Sequence, residues 1–233
     1  PIDLKDLSDA KEIAIDLETC DPNLTTSGSG AINGNGFVVG IAVAVEGWQG
    51  YFPIAHEGGG NLDKRIVLDW FQEVLNTNAN KIFHNAMYDV SWIRAMGLNI
   101  NGRIIDTMIA GSLINENRFS YTLDSMGKEF VGFGKNETNL KEAAKDWNID
   151  PKKDMWRLPA MEVGGYAEKD AELTLKLWQR LQQELTAQDL WSVFTLETDL
   201  FPCLIDMKFK GVRVDMERAD TIKKEIVKKE KKT

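Results

Sequence analysis

The chain has 233 residues, with 28 Lys and Arg against 36 Asp and Glu, and its formal net charge of −8 argues, taken alone, against a nucleic-acid partner. Hydrophobic residues make up 43% of the chain, including seven Trp and ten Phe, which is enough for a packed core and excludes extensive disorder. Two Cys and two His exclude a disulfide scaffold and a Cys/His zinc cluster, and no apolar run approaches the roughly 20 residues of a membrane helix.

The first half of the chain alternates strand and helix patterns. The alternation at Glu12–Leu17 predicts a strand, and the nearly continuous apolar run at Phe37–Val45 predicts a second strand buried on both faces, with Gly47–Pro53 as its hairpin partner. Further along we expect helices at Leu62–Leu75 and Met87–Met96, strands at Lys81–His84 and Arg103–Ile105, and mainly helix over Thr107–Lys210 apart from an irregular passage at Gly132–Pro159. This order favours an α/β sheet flanked by helices, with a helical C-terminal half.

Two segments differ from the rest in composition. The Gly-rich stretch from Thr25 to Gly36 leads into a strand rather than a helix, so we interpret it as a flexible hairpin connection and not as a phosphate-binding loop. The last 26 residues carry ten Lys and Arg against five Asp and Glu, with too few apolar residues to bury a helix face. We therefore expect one domain over residues 1–207 and the start of a second, truncated region over residues 208–233.

Two carboxylates stand at the end of the first predicted strand. Asp16 and Glu18 are two residues apart, so their side chains point to the same face of the strand. Adjacent acids repel each other unless a cation lies between them, and oxygen ligands select hard ions such as Mg²⁺ or Mn²⁺. Judged alone, however, an Asp-x-Glu pair is more typical of two solvated acids.

Two further acids recur at helical spacing. Asn85 and Asp89 are four residues apart where a strand runs into a helix, and Asn85 would cap that helix. Tyr166 and Asp170 share one face of a later helix. Each pair alone has an ordinary structural explanation, as a cap or as a boundary residue beside a solvated acid.

In this order the three motifs resemble those of the DEDD exonucleases, in particular the branch with a tyrosine four residues before the last Asp. The resemblance covers about Lys11 to Asp215 and is strongest to the 3′–5′ proofreading exonuclease domain of family A DNA polymerases of phage type. It implies a ribonuclease H-like mixed sheet of about five strands. A phrase like Lys210–Asp215 marks the passage into the polymerase region in that family.

The resemblance also implies the chemistry. It assigns Asp16, Glu18 and Asp170 to one divalent metal ion, and Asp16 to a second ion that Asp89 supports. Two such cations, Mg²⁺ or Mn²⁺, serve the attacking water and the leaving 3′ oxygen of a phosphodiester. An unperturbed phenol titrates near a pKa of ~10, so Tyr166 is expected to orient the attacking water rather than act as general base.

Substrate contacts are predicted less sharply. The resemblance points to Asn85 and His84 for the terminal phosphate or sugar, and to Leu24 and Trp156 for contacts with bases. His84 is better explained as a packed residue at a strand end, and Trp156 is equally well explained as a lid over the core. Arg157, Lys152 and Lys153 are candidates for phosphate contacts.

The sequence therefore predicts a metal-dependent 3′–5′ DNA exonuclease that acts on a single-stranded primer end, joined to the remainder of a polymerase chain. We place it away from membranes, in the cytoplasm, or in the host cytoplasm if it is viral. An exoribonuclease with the same site stays open, because no residue visibly reads a 2′-hydroxyl. A non-catalytic module of the same fold is disfavoured because all four acids and Tyr166 are present.

Overall fold

A computed structural model describes residues 4–151 and 153–230. Strands and helices alternate through the first half of the described chain, and the second half is helical. The strands are β1 (Glu12–Cys20), β2 (Phe37–Val45), β3 (Trp48–Pro53), β4 (Asn80–Phe83) and β5 (Ile104–Asp106). The helices are α1 (Leu24–Ser27), α2 (Gly30–Asn33), α3 (Lys64–Asn76), α4 (Ala86–Ala95), α5 (Thr107–Ile114), α6 (Leu123–Phe130), α7 (Thr138–Asp146), α8 (Ala160–Ala187), α9 (Trp191–Lys210) and α10 (Met216–Glu230), with a 3₁₀ turn at Met155–Arg157.

The strands form one mixed sheet in the order β3-β2-β1-β4-β5. β1 pairs antiparallel with β2, and β2 with β3, whereas β4 pairs parallel with β1 and with β5. The predicted mixed sheet of five strands is therefore confirmed. Because β1 is the central strand, the residues at its C-terminal end lie between β2 on one side and β4 on the other.

The sheet separates two hydrophobic layers. Along β1, Ile13, Ile15 and Leu17 face a core formed with α3 and α4, while Ala14 faces a second core formed with α5, α6 and α8. This alternation is the two-residue period of a strand buried on both sides. Helix α8 is tied to the sheet by the Trp178 indole, which donates a 2.8 Å hydrogen bond to Glu12.

The Gly-rich connection between β1 and β2 is more ordered than predicted, because it contains the short helices α1 and α2. The backbone N–H of Gly30 donates to both oxygens of the Asp21 carboxylate, at 3.1 and 3.2 Å. A side chain at Gly30 would meet the carbonyl oxygen of Asn35 at 1.7 Å, so this close turn requires glycine. The prediction of a simple flexible hairpin was wrong in this respect.

The described C-terminal part consists of two helices, α9 and α10. Helix α9 ends at Lys210, before Gly211 with φ 70°, so the predicted boundary at residue 207 falls in its last turn. No residue of α10 that the structure describes is buried. The division into residues 1–207 and 208–233 stays a prediction, and residues 1–3 and 231–233 lie outside the described part. None of the helices within residues 4–151 and 153–230 has the length and apolar character needed to cross a membrane.

Candidate active site

The C-terminal half of β1 carries two of the predicted acids on one face. Asp16 pairs with Ala42 and Glu18 with Gly40 across the β1–β2 ladder, and the register shifts immediately after Glu18. Leu17, between them, points into the core under α4. The strand alternation therefore delivers both carboxylates to the side of the sheet that α8 covers.

Helix α8 supplies the third acid. Asp170 lies on its buried face, between Ala167 and Leu173. One carboxylate oxygen from each of Asp16, Glu18 and Asp170 lies within 4.8 Å of the other two. The structure thus brings together a strand pair and a helix residue that are far apart in the chain, as the predicted metal site requires.

Burial and mutual repulsion raise the pKa values of the acids in this three-acid cluster. Burial, followed by the charge of Asp170, raises the pKa of Asp16 to about 7, and burial and both neighbouring acids raise the pKa of Glu18 well above its usual range. Burial likewise raises the pKa of Asp170. Oxygen Oε1 of Glu18 is buried without a hydrogen-bond partner. A set of carboxylate oxygens, one of which has no hydrogen-bond partner, suits a hard divalent cation.

Asp89 lies beside this cluster rather than inside it. Its Oδ1 accepts a 3.0 Å hydrogen bond from the backbone N–H of Leu17, which fixes the carboxylate against β1. Burial, and then the charge of Asp16, raise the pKa of Asp89 well above its usual range. Asp89 is therefore close enough to interact with Asp16. It is held in place by the backbone of Leu17, whose side chain lies on the other face of β1 from Asp16.

Tyr166 stands one helical turn before Asp170 and faces the same acids. Burial and the charges of Glu18, Asp170 and Asp16 raise the pKa of its phenol far above the normal range. The hydroxyl therefore stays protonated at neutral pH. Its oxygen accepts a 2.9 Å hydrogen bond from Nζ of Lys135.

Lys135 was not predicted. Its ammonium lies 2.5 Å from Oδ2 of Asp170, and its side chain is only 24% exposed. Burial alone would lower the pKa of Lys135, but the surrounding carboxylates, Asp170 first, raise it. The residue belongs to the passage before α7, where the sequence shows no periodicity and a lone Lys is not distinguishable from a solvated one.

The residues at the start of α4 differ from their predicted roles. Asn85 occupies the N-cap position with φ 68° but makes no side-chain cap bond, so the expected cap is absent. Instead the carboxylate of Asp106 accepts from the N–H groups of Asn85 and Ala86, at 3.0 and 2.8 Å. The Asn85 side chain is exposed and free to contact a ligand.

His84 is held in the strand-to-helix turn by Thr107, whose hydroxyl lies 2.8 Å from its Nδ1. Burial lowers the pKa of His84 to about 4, so the ring is neutral at pH 7. Its Nε2 is buried without a hydrogen-bond partner.

A cleft of about 840 Å³ opens onto this cluster. Asp16 and Tyr166 form its floor, and three lysines that the sequence did not single out contribute to its walls. These are Lys128, Lys135 and Lys141, which lie in or between α6 and α7. A cleft with acids at the bottom and lysines around them fits an anionic substrate that is cut at a cation site.

The predicted base contacts lie elsewhere. Leu24, in α1, is 42% exposed, and Trp156 packs edge-on against Phe37 with ring centroids 5.8 Å apart. Neither contributes to the cleft, as far as the described residues show. Arg157 pairs with Glu57 at 3.2 Å, and Lys152 falls outside the described residues.

Comparison with known proteins identifies the family. Residues 4–186 match the family model described as 3′–5′ exonuclease. A DNA-directed DNA polymerase of Pseudomonas phage M6 is 40% identical over 226 residues, which cover 95% of this chain and 34% of the phage protein. The chain therefore spans about a third of the length of that relative.

Two solved structures show the same fold at low sequence identity. The POL domain of Pol1 from M. smegmatis, in complex with DNA primer-template and dNTP, has a TM-score of 0.67 and 16% identity and covers 95% of this chain and 32% of its own. Escherichia coli RNase D, an exoribonuclease, has a TM-score of 0.58 and 17% identity and covers 89% of this chain and 47% of its own. With the family match over most of its length, the chain belongs to the 3′–5′ exonuclease domains of family A DNA polymerases.

Proposed function

We propose that the chain is the metal-dependent 3′–5′ DNA exonuclease of a longer DNA polymerase, working in the cytoplasm of a cell or of a virus's host. It would hydrolyse the terminal phosphodiester of a mispaired, single-stranded primer end and release nucleoside monophosphates. The observation that carries the proposal is the grouping of Asp16, Glu18 and Asp170 within 4.8 Å, with Oε1 of Glu18 lacking a partner.

Asp16, Glu18 and Asp170 would hold one divalent cation, and Asp16 with Asp89 would hold a second. Mg²⁺ and Mn²⁺ both fit this site, because all the ligand atoms are carboxylate oxygens, which suit either ion. When bound, two such ions supply charge stabilisation to the attacking and leaving oxygens of the phosphodiester. Asp89 contributes a fixed position, since the Leu17 N–H holds one of its oxygens.

The remaining residues position the substrate. The protonated hydroxyl of Tyr166 would orient the attacking water. A phenol of raised pKa can fill this role, but it cannot act as a general base at neutral pH. Asn85 and the neutral His84, both lining the cleft, would contact the terminal nucleotide. Leu24 and Trp156 stay candidates for contacts with bases farther from the cut, because they lie outside the cleft.

The direct test uses a 5′-labelled single-stranded DNA with Mg²⁺. We expect stepwise shortening from the 3′ end and release of nucleoside monophosphates, both lost in Asp16→Ala and Asp170→Ala while folding is kept. Glu46→Gln, in the exposed β2–β3 turn, is the matched control and should cut normally. Undiminished cleavage by Asp16→Ala would overturn the metal assignment.

An exoribonuclease is the second candidate, and the similarity to RNase D is the observation that favours it. The polymerase relative favours DNA. Matched DNA and RNA oligomers, degraded side by side, decide between them: faster loss of the RNA would replace the first proposal. A module that binds strands without cutting would show no calorimetric signal with Mg²⁺ or Mn²⁺.

A further inference from the structure

Lys135 contacts both members of the Tyr-x3-Asp motif with one ammonium group. Nζ donates to the Tyr166 hydroxyl at 2.9 Å and lies 2.5 Å from Oδ2 of Asp170. It also lies 5.1 Å from the centre of the Tyr166 ring. The Asp170 contact is an ion pair, and the Tyr166 contact is a hydrogen bond. The ammonium therefore bridges Tyr166 and Asp170 in the absence of a metal ion.

One positive charge cannot balance the cluster. Three carboxylates meet within 4.8 Å, and among the described residues the ammonium forms its ion pair with Asp170, while Oε1 of Glu18 stays unpartnered. Attraction between charges scales with their product, so a divalent cation placed among the three acids gains more than the ammonium does. The two cannot both stand against Oδ2 of Asp170, because like charges at that separation repel strongly.

The backbone of Lys135 is fixed, but its side chain has somewhere else to go. The Lys135 N–H donates to Oδ1 of Asp124 at 3.0 Å. A Cβ at the preceding Gly134 would meet the same oxygen at 2.2 Å, so the chain approaches α6 closely there. The Lys135 side chain lines the open cleft together with Lys128 and Lys141. A lysine side chain has several staggered rotamers, so the ammonium borders a space that it can enter by rotation about its own bonds.

We propose that Lys135 is a built-in competing cation: its ammonium holds Tyr166 and Asp170 until a divalent ion displaces it into the cleft, where it binds substrate phosphate. The inference rests on the proposed function, because it takes the three-acid cluster as the metal site. It makes metal binding and substrate binding depend on each other, since the ion that enters the cluster also frees a lysine for the phosphate.

The test measures metal affinity without substrate. Mg²⁺ and Mn²⁺ are titrated by calorimetry at one pH into three proteins: the parent chain, the Lys135→Met variant and the Lys141→Met variant. Lys135→Met, which has lost the competitor, should bind Mg²⁺ roughly tenfold more tightly, about the effect of losing one partly buried ion pair. Its KM for a single-stranded oligomer should rise. Lys141→Met removes a lysine that pairs with Glu137 and should leave metal affinity unchanged.

Equal or weaker Mg²⁺ affinity of Lys135→Met, with clear binding by the parent chain, overturns the inference and leaves the proposed function standing. If neither metal binds to the parent chain or to either variant, both the inference and the proposed function are overturned. If Lys135→Met does not fold, the parent chain with ¹³Cε-labelled lysine decides: the Lys135 resonance, assigned with Lys135→Arg, should move on addition of Mg²⁺. A resonance that does not move while the metal binds overturns the inference as well.

Discussion

The hydroxyl of Tyr51 donates a 2.7 Å hydrogen bond to Nε2 of His56, and the pair joins the sheet to the start of α8. His56 Nδ1 lies 2.9 Å from the carbonyl oxygen of Leu158, which only accepts, so the ring proton is on Nδ1 and Nε2 accepts from Tyr51. Leu158 directly precedes the helix that carries Tyr166 and Asp170. The contact therefore sets one end of that helix against β3.

Removing this link should loosen the placement of α8. We expect His56→Ala to lower the free energy of unfolding by about 1–3 kcal/mol, because it leaves a buried hydroxyl and a buried carbonyl without partners. Tyr51→Phe, which removes only the hydroxyl, should cost less. Urea denaturation followed by tryptophan fluorescence measures both. Full stability of His56→Ala would show that Leu158 is held by other contacts.

The three-acid cluster should make the metal-free chain less stable as pH rises. The folded-state pKa of Asp16 is raised to about 7 from an ordinary value near 3.8, so between these values the folded chain binds more protons than the unfolded one. The contribution of Asp16 to the free energy of unfolding is then greatest below about pH 4, and it falls as the pH rises to about 7. Thermal melting in EDTA from pH 5 to 8 should show this fall, and Mg²⁺ should reverse it.

The same reasoning predicts a stabilising substitution. Asp16→Asn removes one of three mutually repelling charges and should raise the free energy of unfolding of the metal-free chain by ~1–3 kcal/mol at pH 8, with a smaller gain at pH 5. Cleavage should be lost at both pH values. A metal-free Asp16→Asn chain that melts below the parent at pH 8 would contradict the repulsion that we infer.

Tyr166→Phe should separate metal binding from cleavage. The ring stays in place, whereas the hydroxyl that we expect to orient water is lost, so the rate should fall by roughly 10²-fold with metal affinity nearly unchanged. Tyr121→Phe is the control, because its hydroxyl donates to the backbone of Asn115, outside the cluster. Single-turnover rates and calorimetry measure the two effects. An equal fall of the cleavage rate in Tyr166→Phe and Tyr121→Phe would argue against a specific role for Tyr166.

A structural lysine gives the largest expected stability loss. Lys81 is fully buried, and its ammonium donates to the carbonyl oxygens of Thr77, Ala79 and Asn101 at 2.5, 3.0 and 2.8 Å. Lys81→Met leaves all three carbonyls unsatisfied and should cost roughly 3–5 kcal/mol. Lys64→Met, at the exposed start of α3, should cost almost nothing. Similar denaturation midpoints for the two variants would contradict the prediction.

The sequence predicts most of the sheet and the grouping of the acids for physical reasons. Strand alternation puts Asp16 and Glu18 on one face, and helical spacing puts Tyr166 beside Asp170, so order and period suffice to bring these residues together. That they bind metal stays a prediction. The net acidity of the chain was a poor guide, since part of that charge is concentrated in a cluster that attracts cations.

The contacts that sequence reasoning missed are long-range and aperiodic. Lys135 reaches the cluster from a segment without helical or strand pattern, and His56 meets Leu158 across about a hundred residues. The cap at Asn85 failed because Asn85 has φ 68° instead of the extended backbone of a capping residue. Asp106, at the end of a neighbouring strand, accepts from the N–H groups of Asn85 and Ala86 there. Tertiary contacts of this kind leave no mark on local composition.

The joining of β1 with α8 also fixes when the nuclease comes into being during synthesis. Asp16 and Glu18 leave the ribosome with β1, but their partner Asp170 follows only with the eighth helix, α8. A nascent chain that stops before α8 carries two acids with no third ligand and an uncovered sheet face. The three-acid cluster is therefore complete only after α8 has been made and has packed on the sheet.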